Sequence, residues 1–187
     1  MRPSTLFRPR LTVSASAVLA AALLAACNPT YNWRDWTSEQ GRYKVLCPAK
    51  PASFTRPVEV DGLRLEMTMT AAEVDGATFA VGTASAPDAA RARTLLPAMR
   101  QALLRNIGAD SAVPPAVPPS APAASASSAS GADGRVDATG AANGKPMRLS
   151  GRFEARGARV YQVIVLGPPG AAPPEQVDQF LTSFTTF

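Results

Sequence analysis

The sequence contains no histidine, few charged residues and only two cysteines. Histidine is absent from all 187 residues, charged residues make up 18%, and the cysteines are Cys27 and Cys47. Without histidine the chain has no Ser-His-Asp triad, no Cys-His pair and no histidine-containing zinc site. Two cysteines are too few for a framework of several disulfides. We therefore expect no catalytic residues, no metal and no cofactor.

The first 26 residues have the pattern of a secretory signal peptide. Arg2, Arg8 and Arg10 precede an apolar run that extends from Leu11 to Ala26. The run is too short and too rich in small residues to favour a spanning helix, which needs about 20 apolar residues. Hydrophobic residues make up 46% of the whole chain, which predicts a folded domain behind this signal.

The signal ends in Leu24-Ala25-Ala26-Cys27, which resembles the lipobox of bacterial lipoproteins. The resemblance implies cleavage before Cys27, lipidation of its thiol and acylation of the new amine. Two or three acyl chains hold a protein at the membrane where one chain holds only marginally. Asn28 rather than Asp follows Cys27, which by the same resemblance favours the outer membrane, with the domain facing the periplasm, over the inner membrane. An ordinary signal peptide with a chance cysteine is the alternative.

Removal of the signal lowers the net charge. Without Arg2, Arg8 and Arg10, 16 of the 19 basic residues remain against 14 acidic residues, so the net charge falls from +5 to +2. The basic patch or stripe typical of nucleic-acid-binding domains is therefore not indicated. We expect no nucleic-acid partner; the expected contacts are the membrane, through Cys27, and an envelope protein or polymer.

The mature chain is predicted to be one domain with a tether and an insert. Residues 27–41 lack a clear period and are interpreted as a lipidated tether that becomes ordered near its aromatic residues, followed by a single domain over 42–187. Residues 111–134 contain 8 Ala, 6 Ser and 5 Pro, which predicts a disordered insert with polyproline II character. The pieces on either side are too short for independent domains, and a long surface insertion costs little closure entropy.

Turn dipeptides and apolar patterns predict an α+β fold. Asp61-Gly62 and Asp75-Gly76 are hairpin signals, and they predict a meander of strands over 55–60, 63–73 and 77–84. Further strands are predicted over 43–47, 135–142, 146–155 and 159–167, the last being apolar on both faces and therefore central. One helix is predicted from an Asp88 cap to Asn106, with Pro97 as a kink or restart, and another from Pro173-Pro174-Glu175. The prediction is a largely antiparallel sheet of six to seven strands with two helices packed on it.

The order of these elements resembles the PsbP-like domain. The similarity rests on Tyr43, Pro48 and Pro51 at the first strand and on two later segments, 159–163 and 180–184 (Phe-Leu-Thr-Ser-Phe). It covers 42–187 apart from the insert, and it also extends to small proteobacterial lipoproteins. It implies an α/β/α sandwich that works as a binding or assembly module, and no catalytic motif is carried over.

Single residues give few signs of chemistry. Cys47 is interpreted as a small buried hydrophobe, since no histidine is present to activate its thiol. Asp61 and Asp75 are interpreted as turn residues, and Ser150 and Ser183 are interpreted as having no adjacent base. These patterns favour structural roles for all five residues.

Two groups of residues are candidate contact sites. Arg148, Arg152 and Arg156 share one strand face and are candidates for binding an anionic polymer or lipid headgroups. The competing interpretation is a solvated face of an edge strand, where charge deters aggregation. Tyr31, Trp33 and Trp36 are predicted either to lie at the lipid headgroups or to pack against the domain.

The preferred function is that of a membrane-anchored, non-catalytic binding or scaffold module. The alternative is a periplasmic hydrolase that uses Asp, Glu or Ser without histidine. Two converging carboxylates in a cleft would favour the enzyme, whereas a sandwich without a polar pocket would favour the module.

Replacement of the lipobox cysteine tests the predicted anchor. Cys27→Ala removes the only thiol at the cleavage site, so we expect unprocessed or misprocessed precursor in place of the lipidated form. Mass spectrometry of the N-terminal peptide, with Cys47→Ala as the control, measures the modification. A mature wild-type protein that is free in the periplasm with an unmodified Cys27 contradicts the prediction.

Overall fold

A computed structural model describes residues 30–109 and 135–187. The predicted signal peptide, Cys27 and the predicted insert at 111–134 lie outside the described residues. Residues Tyr31–Phe187 belong to one compact unit with an α+β fold. No helix in the described part of the chain is long and apolar enough to cross a membrane.

The described residues form nine strands and two helices. The strands are β1 (Arg34–Ser38), β2 (Tyr43–Cys47), β3 (Ala52–Val60), β4 (Leu63–Val74), β5 (Ala77–Ser85), β6 (Arg135–Ala142), β7 (Lys145–Arg156), β8 (Arg159–Gly167) and β9 (Thr185–Thr186). The helices are α1 (Ala89–Asn106) and α2 (Pro174–Ser183).

Six strands form an antiparallel sheet in the order β3-β4-β5-β8-β7-β6. The β3–β4 and β4–β5 turns place Asp61 and Asp75 at φ values of +52° and +50°, each followed by a glycine with positive φ. Asp tolerates this left-handed region better than most residues, and glycine adopts it freely. The predicted meander and the assignment of both aspartates to turns are confirmed.

Strand β8 lies at the centre of this sheet and is buried on both faces. It pairs with β5 on one side and with β7 on the other, and seven of its nine residues are buried. On one face Val160 and Ile164 belong to a core beneath α1. On the other face Tyr161, Val163 and Val165 belong to a second core. The prediction of a central strand covered on both sides is confirmed.

Helix α1 begins and ends where the sequence predicts. The Asp88 side chain accepts a hydrogen bond from the Arg91 backbone N–H at 2.8 Å, which caps the first turn. Gly108 has φ +65° just beyond the last turn, as is typical of a helix C-terminus. Pro97 lies within the helix on its exposed side, and the helix continues through it as a single element.

The second face of the six-stranded sheet is covered by α2 and by a small separate sheet. Strands β1, β2 and β9 form this three-stranded sheet in the order β1-β2-β9. The predicted strand at 43–47 therefore does not join the hairpin sheet. Its buried side chains Tyr43, Val45 and Cys47 pack with Phe180, Leu181 and Phe184 over the sheet.

The segment predicted as a tether, 27–41, is ordered near its aromatic residues, as expected, and it also contains a strand that the sequence does not predict. Arg34–Ser38 forms strand β1, which pairs antiparallel with all five residues of β2. Tyr31 and Trp33 stack on each other with ring centroids 6.0 Å apart, and both meet Phe79 edge-on. The compact unit therefore includes the segment from Tyr31 to Ser38 and does not start at residue 42. The sequence lacks a period here because aromatic packing, and not alternation, holds the segment.

Of the two predictions for the aromatic residues, the structure shows packing against the domain. The indole Nε1 of Trp33 donates to Oε1 of Gln176 at 3.0 Å, which connects the segment to α2. Trp36 also packs against the second core. All three rings are half-buried.

Truncation tests the corrected domain boundary. A chain that starts at residue 42 loses β1 and the rings that cover Phe79, and burial of one large side chain is worth about 1.5–3 kcal/mol. We therefore expect urea denaturation to show a free energy of unfolding at least about 3 kcal/mol lower than that of a chain starting at residue 30. The control is the chain from residue 27, which should match the chain from residue 30. Equal stability of all three chains would contradict the corrected boundary and support a tether that extends to residue 41.

Candidate binding site

One helix cannot cover a face of a six-stranded sheet. Neighbouring strands lie about 4.8 Å apart, so the outer strands are about 24 Å apart, whereas a helix with its side chains is about 10–12 Å wide. Helix α1 packs mainly on β7 and β8 and only weakly on β3. The part of this face formed by β3 and β4 is therefore left next to the helix as a groove.

The groove has a volume of about 550 Å³, within the range of about 300–1,000 Å³ typical of ligand sites. Most of its lining is apolar and comes from α1 and from five strands. Four methionines contribute, two from β4, one from α1 and one from β7: Met67, Met69, Met99 and Met147. Methionine is unbranched and polarisable, so a methionine-lined surface adapts to apolar ligands of different shape. We name this feature the methionine groove.

The strand pattern explains why these residues share the groove. Leu63, Leu65, Met67 and Met69 alternate with polar residues along β4 and point to the α1 side. This alternation of apolar and polar residues is visible in the sequence. Met69 is only half-buried, because no helix covers it. The neighbouring edge strand β3 is exposed over most of its length and leaves Phe54, opposite Met69, 51% exposed.

Gly82 makes room at the floor of the groove. It lies between Met69 on β4 and Gln162 on β8 in the sheet register. A Cβ atom at Gly82 would come within 2.6 Å of the Met69 sulfur and 2.7 Å of Gln162 Cγ. The missing side chain thus allows Met69 and Gln162 to meet above the sheet, where the Gln162 Nε2 donates to the Met69 sulfur at 3.4 Å.

A second, polar pocket lies on the opposite face of the sheet, beside the start of α2. Its volume is about 80 Å³, and Arg135, Arg148, Ser150 and Asp178 contribute to its lining. Arg135 forms ion pairs with Asp178 at 2.8 Å and with Asp137 at 3.2 Å. Hydrogen bonds from Arg135 to these carboxylates, Asp178 first, raise the pKa of its guanidinium.

Ser150 has a carboxylate neighbour that the sequence does not reveal. Its hydroxyl donates to Asp137 Oδ1 at 2.5 Å, because β6 and β7 pair with Asp137 directly opposite Ser150. The interpretation that Ser150 lacks an adjacent base is therefore corrected. Ser150 is only 4% exposed, and the other oxygen of Asp137 accepts from Arg135. The contact joins a hydroxyl and a carboxylate, the groups that a catalytic nucleophile and its base would supply. The Ser150 hydroxyl is buried, however, and the Asp137 carboxylate already forms an ion pair with Arg135.

The three predicted arginines on β7 do not form one free cationic patch. Arg152 is half-buried: it donates to Glu154 at 2.6 Å and to the Leu181 carbonyl, and its guanidinium lies 5.6 Å from the Phe184 ring centroid. Arg156 donates to Thr186 Oγ1 at 3.2 Å. Arg148 and Arg156 are both exposed, and Arg148 lines the polar pocket.

The competing interpretation of an edge strand is also wrong. Strand β7 has β8 on one side and β6 on the other, so it is an interior strand of the sheet. Two of the three arginines therefore hold α2 and β9 against the sheet. The sequence does not reveal this role, because their partners lie about 30 residues away.

Cys47 is a buried thiol, as predicted. It is 3% exposed in the second core, and burial raises the pKa of the Cys47 thiol to about 11, with a smaller opposing effect of the Arg34 charge. Burial likewise raises the pKa of Tyr43 and of Tyr161, whose hydroxyl donates to the Gly41 carbonyl at 3.0 Å. Within the described residues, no group of three or more Cys, Asp or Glu side chains is arranged to hold a metal ion.

The raised pKa of Cys47 predicts a loss of stability in alkaline solution. The unfolded chain releases the thiol proton near pH 9 and the folded chain near pH 11, so the folded state keeps a proton that the unfolded state has lost. The free energy of unfolding therefore falls as pH rises from about 9 to about 11.

The measurement is urea denaturation between pH 8 and pH 11 of the wild type and of Cys47→Ala. We expect a shallower decline for the variant, while the buried tyrosines cause the decline that remains in both proteins. Parallel pH profiles for the two proteins would contradict a thiol that stays protonated in the folded state.

Comparison of the chain with protein-family models, with curated proteins and with solved structures found no match in any of the three. The resemblance to PsbP-like domains and to lipobox lipoproteins therefore stays a prediction, and the function is inferred from the residues of this chain.

Proposed function

We propose that this protein is a lipid-anchored envelope module that binds an apolar ligand in the methionine groove without catalysing a reaction. The observation that supports the proposal most strongly is the groove itself, since an apolar concavity with a few polar groups is the usual form of a binding site. Anchoring through Cys27 and exposure to the periplasm are parts of the same proposal and rest on the sequence.

One side of the groove consists of buried, tightly packed side chains, and the other side consists of half-buried, flexible ones. Met99 on α1 and Met67 on β4 are buried at 3% and 5% exposure, and they anchor the helix to the sheet. Met69, Met147 and Leu103 are half-buried and line the open side. A ligand that covers them removes apolar surface from water at about 25 cal/mol per Å², with little rearrangement of the backbone.

A hydrolase is the second candidate, because Ser150 and Asp137 are in contact. A nucleophile must reach its substrate, and it needs a base that is free to accept a proton. Ser150 is 4% exposed, and Asp137 is held by Arg135 at its other oxygen. These contacts tie β6 to β7 and, through Arg135 and Asp178, to α2. They favour a structural role for the pair.

Filling the groove tests the proposed function. Ala102 lies on α1, is half-buried and lines the groove, so Ala102→Phe places a ring inside it. The probe is N-phenyl-1-naphthylamine, a neutral dye that fluoresces in apolar surroundings. We expect the wild type to bind the dye and Ala102→Phe to bind it about tenfold more weakly or worse. The matched control is Ala90→Phe, which adds the same ring at an exposed position of the same helix.

Two outcomes would contradict the proposal. Unchanged dye binding by Ala102→Phe shows that the groove is not the site. Turnover of p-nitrophenyl esters that disappears in Ser150→Ala, while the variant keeps its fold by circular dichroism, favours the hydrolase.

A further inference from the structure

The floor of the methionine groove contains a buried amide without a strong partner. Gln162 lies on the central strand β8, is 8% exposed and faces the groove. Within residues 30–109 and 135–187, its side chain has one hydrogen bond, from Nε2 to the thioether sulfur of Met69 at 3.4 Å. Sulfur in a thioether is a weak acceptor, whereas an amide offers two N–H donors and a carbonyl acceptor.

A buried amide is expected to have good hydrogen-bond partners. The thioether of Met69 is a weak acceptor and takes only one of the two N–H donors of Gln162, and the side chain lines the groove, where a ligand can reach it. Gly82 on β5 lies directly beside Gln162 in the sheet register and leaves space around its amide. A polar group of a ligand in the groove would give Gln162 the partner that the protein does not provide.

Helix α1, which lies beside the groove, carries charges of one sign. Helix α1 contains four arginines and no acidic residue. Arg91 pairs with Asp61, but the side chains of Arg93, Arg100 and Arg105 have no ion-pair partner within the described residues. Arg56 lies on β3, is exposed, lines the groove and is likewise unpaired in the described part of the chain.

One acidic residue, Glu59, also lines the groove. In the register of the β3–β4 hairpin it pairs with Arg64, whereas Arg56 pairs with Met67, so the Glu59 and Arg56 side chains leave β3 on opposite faces of the sheet. The groove therefore favours a negatively charged group at the β3 side.

Beyond Gln162 the sheet side of the groove is apolar. Ile164 and Leu166 follow it on β8, and Met147 on β7 and Ile107 after α1 continue the lining. An anionic ligand that fits this distribution has a charged group at one end and an unbranched apolar chain at the other. Flexible methionine side chains suit such a chain, which has no fixed shape of its own.

We propose that the methionine groove binds a single-chain anionic amphiphile of the fatty-acid type, with its headgroup between Arg56 and Gln162 and its alkyl chain along Ile164, Leu166 and Met147. The guanidinium and the amide N–H donate to the headgroup oxygens, and the chain covers the half-buried methionines. This assignment of a ligand class rests on the proposed function, because both use the same groove.

Calorimetric titration with dodecanoate tests the assignment. The protein is the mature chain, residues 27–187, with Cys27→Ala, which carries no acyl chains of its own. We expect dodecanoate to bind and to displace N-phenyl-1-naphthylamine. Decanoate should bind about tenfold more weakly, since it loses two buried methylene groups. Dodecyltrimethylammonium has the same chain with a cationic head and should bind at least about tenfold more weakly than dodecanoate.

Three variants separate the groove from general surface charge. Arg56→Gln and Gln162→Met should each weaken dodecanoate binding by about tenfold, because each removes a donor to the headgroup. Arg93→Gln makes the same change of charge at an exposed position of α1 outside the groove and should leave binding unchanged. Arg56 is exposed, so Arg56→Gln remains informative even where Gln162→Met alters folding.

The outcomes that overturn the assignment are distinct. Equal binding of the cationic amphiphile, or equal weakening by Arg93→Gln and Arg56→Gln, shows that no headgroup site exists at Arg56. Binding only to anionic phosphatidylglycerol vesicles, and not to dodecanoate, identifies a membrane-surface contact instead. If dodecanoate fails to displace the dye while Ala102→Phe still abolishes dye binding, the ligand class is wrong and the proposed function stands. If neither dye nor dodecanoate binds, both proposals fail.

Discussion

The structure depends on a central sheet that needs apolar cover on both faces. Strand β8 is the clearest case, because its even-numbered side chains enter one core and its odd-numbered side chains enter the other. Exposure of either face would place several large apolar side chains in water, at about 25 cal/mol per Å². The positions of α1, α2 and the small sheet follow from this requirement.

The two covers differ in completeness, and this difference has functional consequences. On one face, α2 and the three-stranded sheet together with Tyr31 and Trp33 close over Phe79, Tyr161 and their neighbours. On the other face a single helix covers the β7 and β8 side and leaves the β3 and β4 side open. The well-covered face is fixed by aromatic contacts and by arginine hydrogen bonds. The partly covered face contains the methionine groove.

The two sides also differ in how their arginines are paired. On the well-covered side the cations are engaged: Arg135 with Asp137 and Asp178, and Arg152 with Glu154 and the Leu181 carbonyl. On the α1 side, Arg93, Arg100 and Arg105 have no ion-pair partner within the described residues. The Gln162 side chain there makes its one hydrogen bond to a thioether, so it can still bond to another molecule in the groove. The proposals therefore concern this side of the sheet.

Local signals in the sequence predicted most of the elements. Asp61-Gly62 and Asp75-Gly76 marked hairpin turns because their backbone needs positive φ, and Asp88 marked the start of α1 because its side chain caps the helix. Strand β1 was missed, since its order comes from pairing with β2 and from the contact of Trp33 with Phe79, 46 positions later in the chain. The same holds for Ser150, whose neighbour Asp137 depends on strand register.

The sequence by itself thus determined the fold class, the hairpins, both helices and the burial of Cys47, because each follows from residues close together in the chain. Only the tertiary structure decided the order of the strands, the separate sheet around Tyr43–Cys47 and the interior place of Arg152. It also decided the groove, which takes residues from α1 and five strands and has Gly82 beside its polar floor. The groove forms because helix α1 is narrower than the sheet face on which it packs. No local sequence pattern shows how much of that face the helix will cover.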